Sequence, residues 1–121
     1  MAFGTLKADT LTHSTAGSLA TNYVVQGSAK AWSNYNQTGP TVDGSFSVSS
    51  ISDDGTGDFT VTLTSAMINN DWAAGFISRQ QHHQWSDDFL TTTSCSIITR
   101  DGNTNAADGQ SNCLVCVGDL A

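Results

Sequence analysis

Apolar and polar residues alternate along short segments of the chain, as they do in strands that bury one face. The clearest segment is FTVTLT, residues 59–64, which places its phenylalanine, valine and leucine on one face and its threonines on the other. Residues 46–49 alternate in the same way. Between the two segments, residues 53–58 hold two glycines and three aspartates, a composition typical of a tight turn. The pattern therefore predicts a β-hairpin.

Other segments rich in β-branched and aromatic residues predict further strands. They span residues 5–12, 23–26, 29–35, 73–79, 89–99 and 113–117, and long polar stretches at 80–88 and 101–112 predict loops. No segment has a convincing helical period. About six to eight short strands predict an all-β protein, either an antiparallel β-sandwich or a jelly-roll-like barrel.

The composition agrees with a β-rich fold. Serine and threonine make up about a quarter of the chain, and all eleven acidic residues are aspartate. Aspartate and serine are poor residues for helix interiors, whereas threonine suits a pleated surface. A chain of 121 residues predicts a single domain spanning 1–121. An alternative interpretation of residues 1–21, the N-terminal strand, is an arm that contacts neighbouring subunits.

The charge balance excludes two classes of partner. The net charge is −7, and the cations are Lys7, Lys30, Arg79 and Arg100. Four scattered cations cannot form the basic surface that phosphate backbones require, so we expect no nucleic-acid binding. We also expect no membrane insertion and no export signal, because the sequence has neither a long apolar run nor a signal-like N-terminus.

Three cysteines predict reduced thiols rather than a disulfide framework. Cys113 and Cys116 have CxxC spacing, but residues three apart on a strand face opposite sides. We therefore expect Cys95, Cys113 and Cys116 to pack as small apolar residues, with no metal or cofactor. The alternative is a zinc site with His82 and His83, which requires a turn at Cys113.

The acidic loops permit a second cation hypothesis. Residues 101–105 begin like an EF-hand loop, but Ala106 and Asn112 occupy positions where that loop needs glycine and glutamate. A cation bound at residues 53–58 or 101–108 remains an alternative to ordinary turns in which aspartate caps main-chain amides.

The sequence does not place a nucleophile beside an oriented base. There is no G-x-S-x-G motif, and the histidines are His13 and the adjacent pair His82 and His83. The acid pairs 53–54 and 87–88 are the one arrangement that resembles glycosidase carboxylates, and adjacent aspartates in polar loops are more typical of turns. We therefore predict a protein without catalytic residues.

Residues 27–36, GSAKAWSNYN, predict a subunit interface. Gly27, Ala29 and Ala31 permit close approach of a neighbouring chain, while Trp32 and Tyr35 offer the large contact areas enriched at interfaces. The alternative is that Trp32 belongs to the core.

A second candidate site lies at residues 79–88. Trp85 beside His82, His83 and Asp87 combines a stacking face with hydrogen-bonding groups, which suits a loop that binds sugar rings. The alternative is a polar connection with Trp85 turned inward.

The order of several segments resembles one protein family. GSAKAWSNYN, then SFSVSSISDDGTGDFTVTLTSAM and a final VCVGDLA, with TLKADTLT near the start, are similar to tail-fibre and related virion proteins of tailed bacteriophages, especially marine ones. The resemblance implies a β domain on the virion surface, forming a homotrimer without catalytic residues. It implies other viral structural proteins as partners, assembly in the host cytoplasm, and a tail-fibre, head-fibre or decoration role. The alternative function is a module that recognises a host surface glycan.

Overall fold

The computed structural model describes residues 4, 7–79 and 82–121, and it describes side chains in all of these except residues 82–89. In that part of the chain, ten strands accompany one short helix. In chain order they are β1 (Thr10–His13), β2 (Gly17–Ala20), α1 (Thr21–Gly27), β3 (Ala29–Asn36), β4 (Thr41–Phe46), β5 (Val48–Gly55), β6 (Asp58–Leu63), β7 (Ala73–Ser78), β8 (His82–Leu90), β9 (Ser94–Arg100) and β10 (Asn112–Val117). The predicted all-β class is confirmed.

The strands form three antiparallel sheets. One four-stranded sheet has the order β4-β3-β10-β7, and a second has the order β5-β6-β9-β8. β1 and β2 pair with each other in a separate hairpin. The hairpin predicted around residues 53–58 is confirmed as β5 and β6, whose connection includes Gly55 and Gly57 at positive φ. No helix in the described residues is long and apolar enough to cross a membrane.

Alternate residues of both four-stranded sheets meet in one hydrophobic core. The ring of Tyr35 on β3 lies 5.2 Å from that of Phe59 on β6, and Phe59 lies 6.0 Å from Phe76 on β7, measured between centroids. Tilted aromatic pairs at this spacing add to the free energy gained by burying their surface. The other buried members are Ala31, Val61, Leu63, Met67, Trp72, Cys95, Ile97, Leu114 and Cys116.

A buried polar cluster lies beside this core. The Gln37 side-chain oxygen accepts hydrogen bonds from Thr99 Oγ1 at 2.9 Å, the Gly109 amide at 3.2 Å and Asn112 Nδ2 at 3.2 Å. These bonds connect the end of β3 with β9 and with the residues that precede β10. They hold the long 101–111 connection against both four-stranded sheets.

The strand predicted at residues 23–26 is wrong, because these residues lie in α1. Tyr23, Val24 and Val25 favour strands only where a neighbouring strand offers them pairing and packing. Here the Thr21 amide donates to the Asp9 carbonyl, and Thr21 Oγ1 donates to the Ala8 carbonyl at 2.7 Å. The seven residues of α1, about two helical turns, form their hydrogen bonds within the helix and need no partner strand.

The loop predicted at residues 80–88 is also wrong over its described part, since residues 82–88 belong to β8. The strand predicted at 89–99 is instead divided, with β8 ending at Leu90 and β9 beginning at Ser94. Thr91 Oγ1 accepts hydrogen bonds from the Thr93 and Ser94 amides, which closes the turn between them. Polar residues can occupy a strand when its main chain pairs with a neighbour, as β8 pairs with β9.

We expect Gly57→Ala to destabilise the protein by more than about 2 kcal/mol, because Gly57 combines a φ of 71° with close packing. A Cβ atom there would overlap the Thr99 carbonyl oxygen and the Ala107 amide nitrogen. Gly102→Ala is the matched control, since a Cβ at Gly102 meets open space, and its effect should stay within about 0.5 kcal/mol. Urea unfolding of both variants measures the difference, and equal midpoints would contradict this account.

Candidate contact surface

The outer side of the β4-β3-β10-β7 sheet carries large apolar side chains. Residues that are register partners across a sheet share a face. One row across this sheet joins Phe46, Trp32, Val115 and Gly75, and the next joins Gly44, Asn34, Cys113 and Ile77. We call these eight positions the apolar face.

Trp32 is the centre of the apolar face. Its ring lies across Gly44, where an added Cβ would come within 3.3 Å of the ring edge, so glycine leaves the space that the ring occupies. Even so, 42% of Trp32 remains exposed, and Phe46, Val115 and Ile77 are also exposed. A contiguous exposed set of this kind is typical of a surface that contacts another protein.

The outer side of the β5-β6-β9-β8 sheet has the opposite character. Two of its rows across β5, β6 and β9 consist of serine and threonine: Ser50, Thr62 and Ser94 in one row, and Ser52, Thr60 and Ser96 in the next; the row beyond them contains Asp58 and Ile98. Thr60 Oγ1 lies 2.9 Å from Ser96 Oγ and also donates to Asp54 Oδ2 at 2.7 Å. We call this the polar face, and its hydroxyl groups suit contact with water.

Charge is absent from the apolar face, whose eight positions contain no charged residue. Several carboxylates gather instead around the β5–β6 turn. Asp108 Oδ1 accepts a hydrogen bond from the Gly57 amide at 2.7 Å, and Asp53 Oδ1 accepts one from the Gly55 amide at 3.2 Å. Partial burial, followed by the nearby charge of Asp54, raises the pKa of Asp58.

The residues predicted to form an interface fall into two groups in the structure, one exposed and one buried. Trp32 lies on the apolar face, and Gly27 and Ala29 are exposed beside it in sequence. Ala31 and Tyr35 are buried in the core of the same chain. Burial is the main reason that the pKa of Tyr35 is raised, with smaller contributions from Asp53, Asp108 and Asp54. Any contact made by this segment therefore uses Trp32 rather than Ala31 or Tyr35.

Sequence reasoning missed Phe46, Val115 and Ile77. The signal for Val115 was available, because the strand predicted at 113–117 places it on the same face as Cys113. The signal for Ile77 was equally present in the strand predicted at 73–79. What the sequence did not reveal is which strands are neighbours, since β10 lies between β3 and β7 although it is last in the chain.

The candidate ligand residues His82, His83, Trp85 and Asp87 have side chains outside the described part of the structure. Their main chain belongs to β8, in which His82 is the register partner of Arg100 and Trp85 that of Ile97. His13 lies elsewhere, in the β1–β2 hairpin. Its Nδ1 accepts a hydrogen bond from the Ala16 amide at 3.1 Å, so the ring helps to close that turn.

The cysteines are free thiols in two environments, the hydrophobic core and the outer side of β10. Cys113 and Cys116 lie on opposite faces of β10, as the spacing predicted: Cys113 belongs to the apolar face and Cys116 to the core. Cys95 is buried in the core on β9. Among the residues whose side chains are described, no group of three histidine, cysteine or acidic residues is placed to hold a metal ion.

The 101–105 segment folds as a turn capped by its own aspartate. Asp101 Oδ1 accepts hydrogen bonds from the amides of Asn103 at 2.8 Å and Asn105 at 2.9 Å, and Oδ2 accepts one from Asn105 Nδ2 at 3.2 Å. The bond from the Asn105 side chain is the largest cause of the lowered pKa of Asp101. The carboxylate thus has a structural use in this turn.

Comparison with protein-family models, with curated proteins and with solved structures finds no match to this chain.

We expect folding stability to fall as pH rises above about 9, because burial raises the pKa of Cys95 to about 12 and that of Cys116 to about 11. The unfolded chain releases these protons first, so the stabilising contribution is complete below the unfolded pKa and is lost as pH rises toward the folded values. Each thiol contributes a slope of about 1.4 kcal/mol per pH unit in that window.

Thermal unfolding at pH 8 to 11 tests this expectation, with the slope compared between variants. Cys95→Ala and Cys116→Ala should each flatten the dependence, whatever their effect on Tm at pH 8. Cys113→Ala is the control, because its thiol lies on the outer side of β10. An unchanged slope in both core variants would contradict the assignment.

Proposed function

We propose that this chain is a β-sandwich subunit of a homotrimer and a non-enzymatic structural component of the virion surface of a tailed bacteriophage. Its place there is a tail fibre, a head fibre or a capsid decoration, assembled in the host cytoplasm beside other viral structural proteins. The proposal combines the resemblance of residues 27–36, 45–67 and 115–121 to virion proteins with the character of the outer faces.

The observation that carries the proposal is the contrast between those faces. The polar face has serine and threonine where the apolar face has Trp32, Phe46, Val115 and Ile77. Each large apolar side chain removed from water contributes roughly 1.5–3 kcal/mol, so covering this face favours association strongly. A protein whose task is to hold a position in an assembly needs such a surface and needs no reactive group.

The described carboxylates agree with a structural task. Those of Asp53, Asp101 and Asp108 accept hydrogen bonds from main-chain amides, and that of Asp54 accepts one from Thr60. These contacts shape turns and strands. They hold the carboxylates of Asp53 and Asp54 at the end of β5 and those of Asp101 and Asp108 in the connection between β9 and β10.

The trimer is what the resemblance implies, and a closed ring is compatible with it. Three identical subunits that each offer one contact surface and receive another form a ring that leaves no surface unmatched. For a subunit of 12.7 kDa, such a ring has three times that mass.

We expect Ile77→Asp to dissociate the trimer, because a carboxylate on the apolar face loses its hydration when that face is covered. A cost of about 2 kcal/mol per contact corresponds to roughly a 30-fold weaker association. Light scattering of the purified protein measures the mass. Wild-type protein should have three times the chain mass, and the variant should shift toward that of one chain.

Ile68→Asp is the matched control, since Ile68 is 64% exposed and Ile77 67%, but Ile68 lies in the connection before β7 and off the apolar face. The control should keep the wild-type mass. A monomeric wild-type protein at micromolar concentration would contradict the proposal, and so would particles of the encoding phage that lack the chain or purified protein that cleaves host polysaccharide.

A further inference from the structure

Residues 7–27 form a second surface that contributes no residue to the hydrophobic core of the described chain. They comprise β1, β2 and α1, and we call them the N-terminal arm. Every residue of the arm is exposed or half-buried, and none belongs to the core. An isolated two-stranded hairpin and a seven-residue helix are each marginal in water, so the arm needs a surface to pack against.

The arm has one apolar side. Leu11 and Leu19 are register partners, so they share one face of the hairpin, and both are exposed. The opposite face carries Thr12 and Ser18, whose hydroxyl oxygens lie 3.0 Å apart. The helix adds Val24, and a groove of about 450 Å³ runs between it and Leu11.

The arm does not pack closely on its own chain. An open cleft of about 550 Å³ separates α1 from Ile68 and Leu120, and a 3.4 Å hydrogen bond from Gln26 Nε2 to Asp119 Oδ2 spans that region. The apolar face of the same chain stays exposed although the arm is present. One subunit thus presents two apolar surfaces that do not cover each other.

The distribution of charged residues favours a second copy of this chain as the partner that the arm contacts. The charged residues of the arm are Lys7 and Asp9 at its start; residues 10–27 contain no aspartate, lysine or arginine, and the apolar face likewise contains none. In a chain with a net charge of −7, contact of Leu11, Leu19 and Val24 with the apolar face therefore joins two uncharged sets of side chains.

The exposed surface area of the chain is also consistent with a second copy as the partner. The chain exposes 7515 Å², whereas a compact monomer of its mass exposes about 6,200 Å². The excess of roughly 1,300 Å² is of the same order as the roughly 1,600 Å² that a ring subunit buries in two interfaces of standard size, at about 800 Å² in each.

We propose that the N-terminal arm of one copy covers the apolar face of the next, with Leu11, Leu19 and Val24 packed against Trp32, Val115 and Ile77. This inference rests on the proposed function, because it names the segment that occupies the contact surface already described. In a closed ring, each copy covers the apolar face of one neighbour with its arm, and its own apolar face is covered by the arm of the other neighbour. The arm joins β3 at Ser28, four residues before Trp32. The arm and the apolar face of one copy are therefore connected directly through β3.

Cross-linking between differently tagged, co-expressed full-length chains tests the exchange. One chain carries Leu19→Cys with Cys113→Ala, and the other keeps the natural Cys113 on its apolar face. Mild oxidation should join the introduced arm sulfur to Cys113 of the other chain, giving a covalent product of twice 12.7 kDa that peptide mapping identifies. Leu11→Cys is a second variant, in case Leu19→Cys lowers the yield of folded protein.

Thr12→Cys, on the opposite face of the same hairpin, is the matched control and should lose most of this product. Introducing Ile77→Asp into the receiving chain should also abolish it. If light scattering finds a trimer but neither leucine variant links to Cys113 more than the control does, the arm exchange is wrong while self-assembly stands. If the wild-type protein is monomeric, the proposed function fails as well.

Discussion

The contact between Tyr35 and Phe59 is the constraint on which the surface of this protein depends. It joins β3 of one sheet to β6 of the other, and it requires both residues to face inward. Because side chains alternate along a strand, Trp32 and Asn34 must then face outward on β3, and Thr60 and Thr62 must do so on β6. The same core contact therefore sets one outer face apolar and the other polar. A shift of one residue in either strand would exchange core and surface.

The polar cluster around Gln37 imposes a second constraint at the edge of this core. Gln37 Oε1 accepts three hydrogen bonds, but Gln37 Nε2 and Asn112 Oδ1 are buried without a hydrogen-bond partner in the described part of the chain. Each such group costs about 1–3 kcal/mol. The cluster is nevertheless the point at which the 101–111 connection contacts both sheets, through Thr99 on β9 and Asn112 on β10. Burying these polar groups lowers the free energy of unfolding, but their hydrogen bonds fix the path of the 101–111 connection.

The sequence was sufficient for the features that local alternation determines. The alternation of residues 59–64 and the glycines at 55 and 57 predicted the β5–β6 hairpin, and the CxxC spacing predicted that Cys113 and Cys116 face opposite sides. The helix at residues 21–27 was not predictable in the same way, because its strand-forming residues find no strand to pair with, and only the tertiary structure shows that. The apolar face was hidden for a related reason. Its members come from β3, β4, β7 and β10, whose adjacency arises from long-range pairing.

The distribution of charge is compatible with the self-association proposed for so acidic a chain. A net charge of −7 per copy opposes association over distances within a Debye length, about 8 Å at physiological ionic strength. That opposition is small if the contacting surfaces are uncharged and the carboxylates lie at turns such as 53–58 and 101–108. The apolar face and residues 10–27 meet this condition, so in the proposed contact the hydrophobic gain is opposed by few nearby carboxylates, of which Asp9 at the start of the arm is one. In such an assembly, the net negative charge left on the exterior disfavours further, unspecific association.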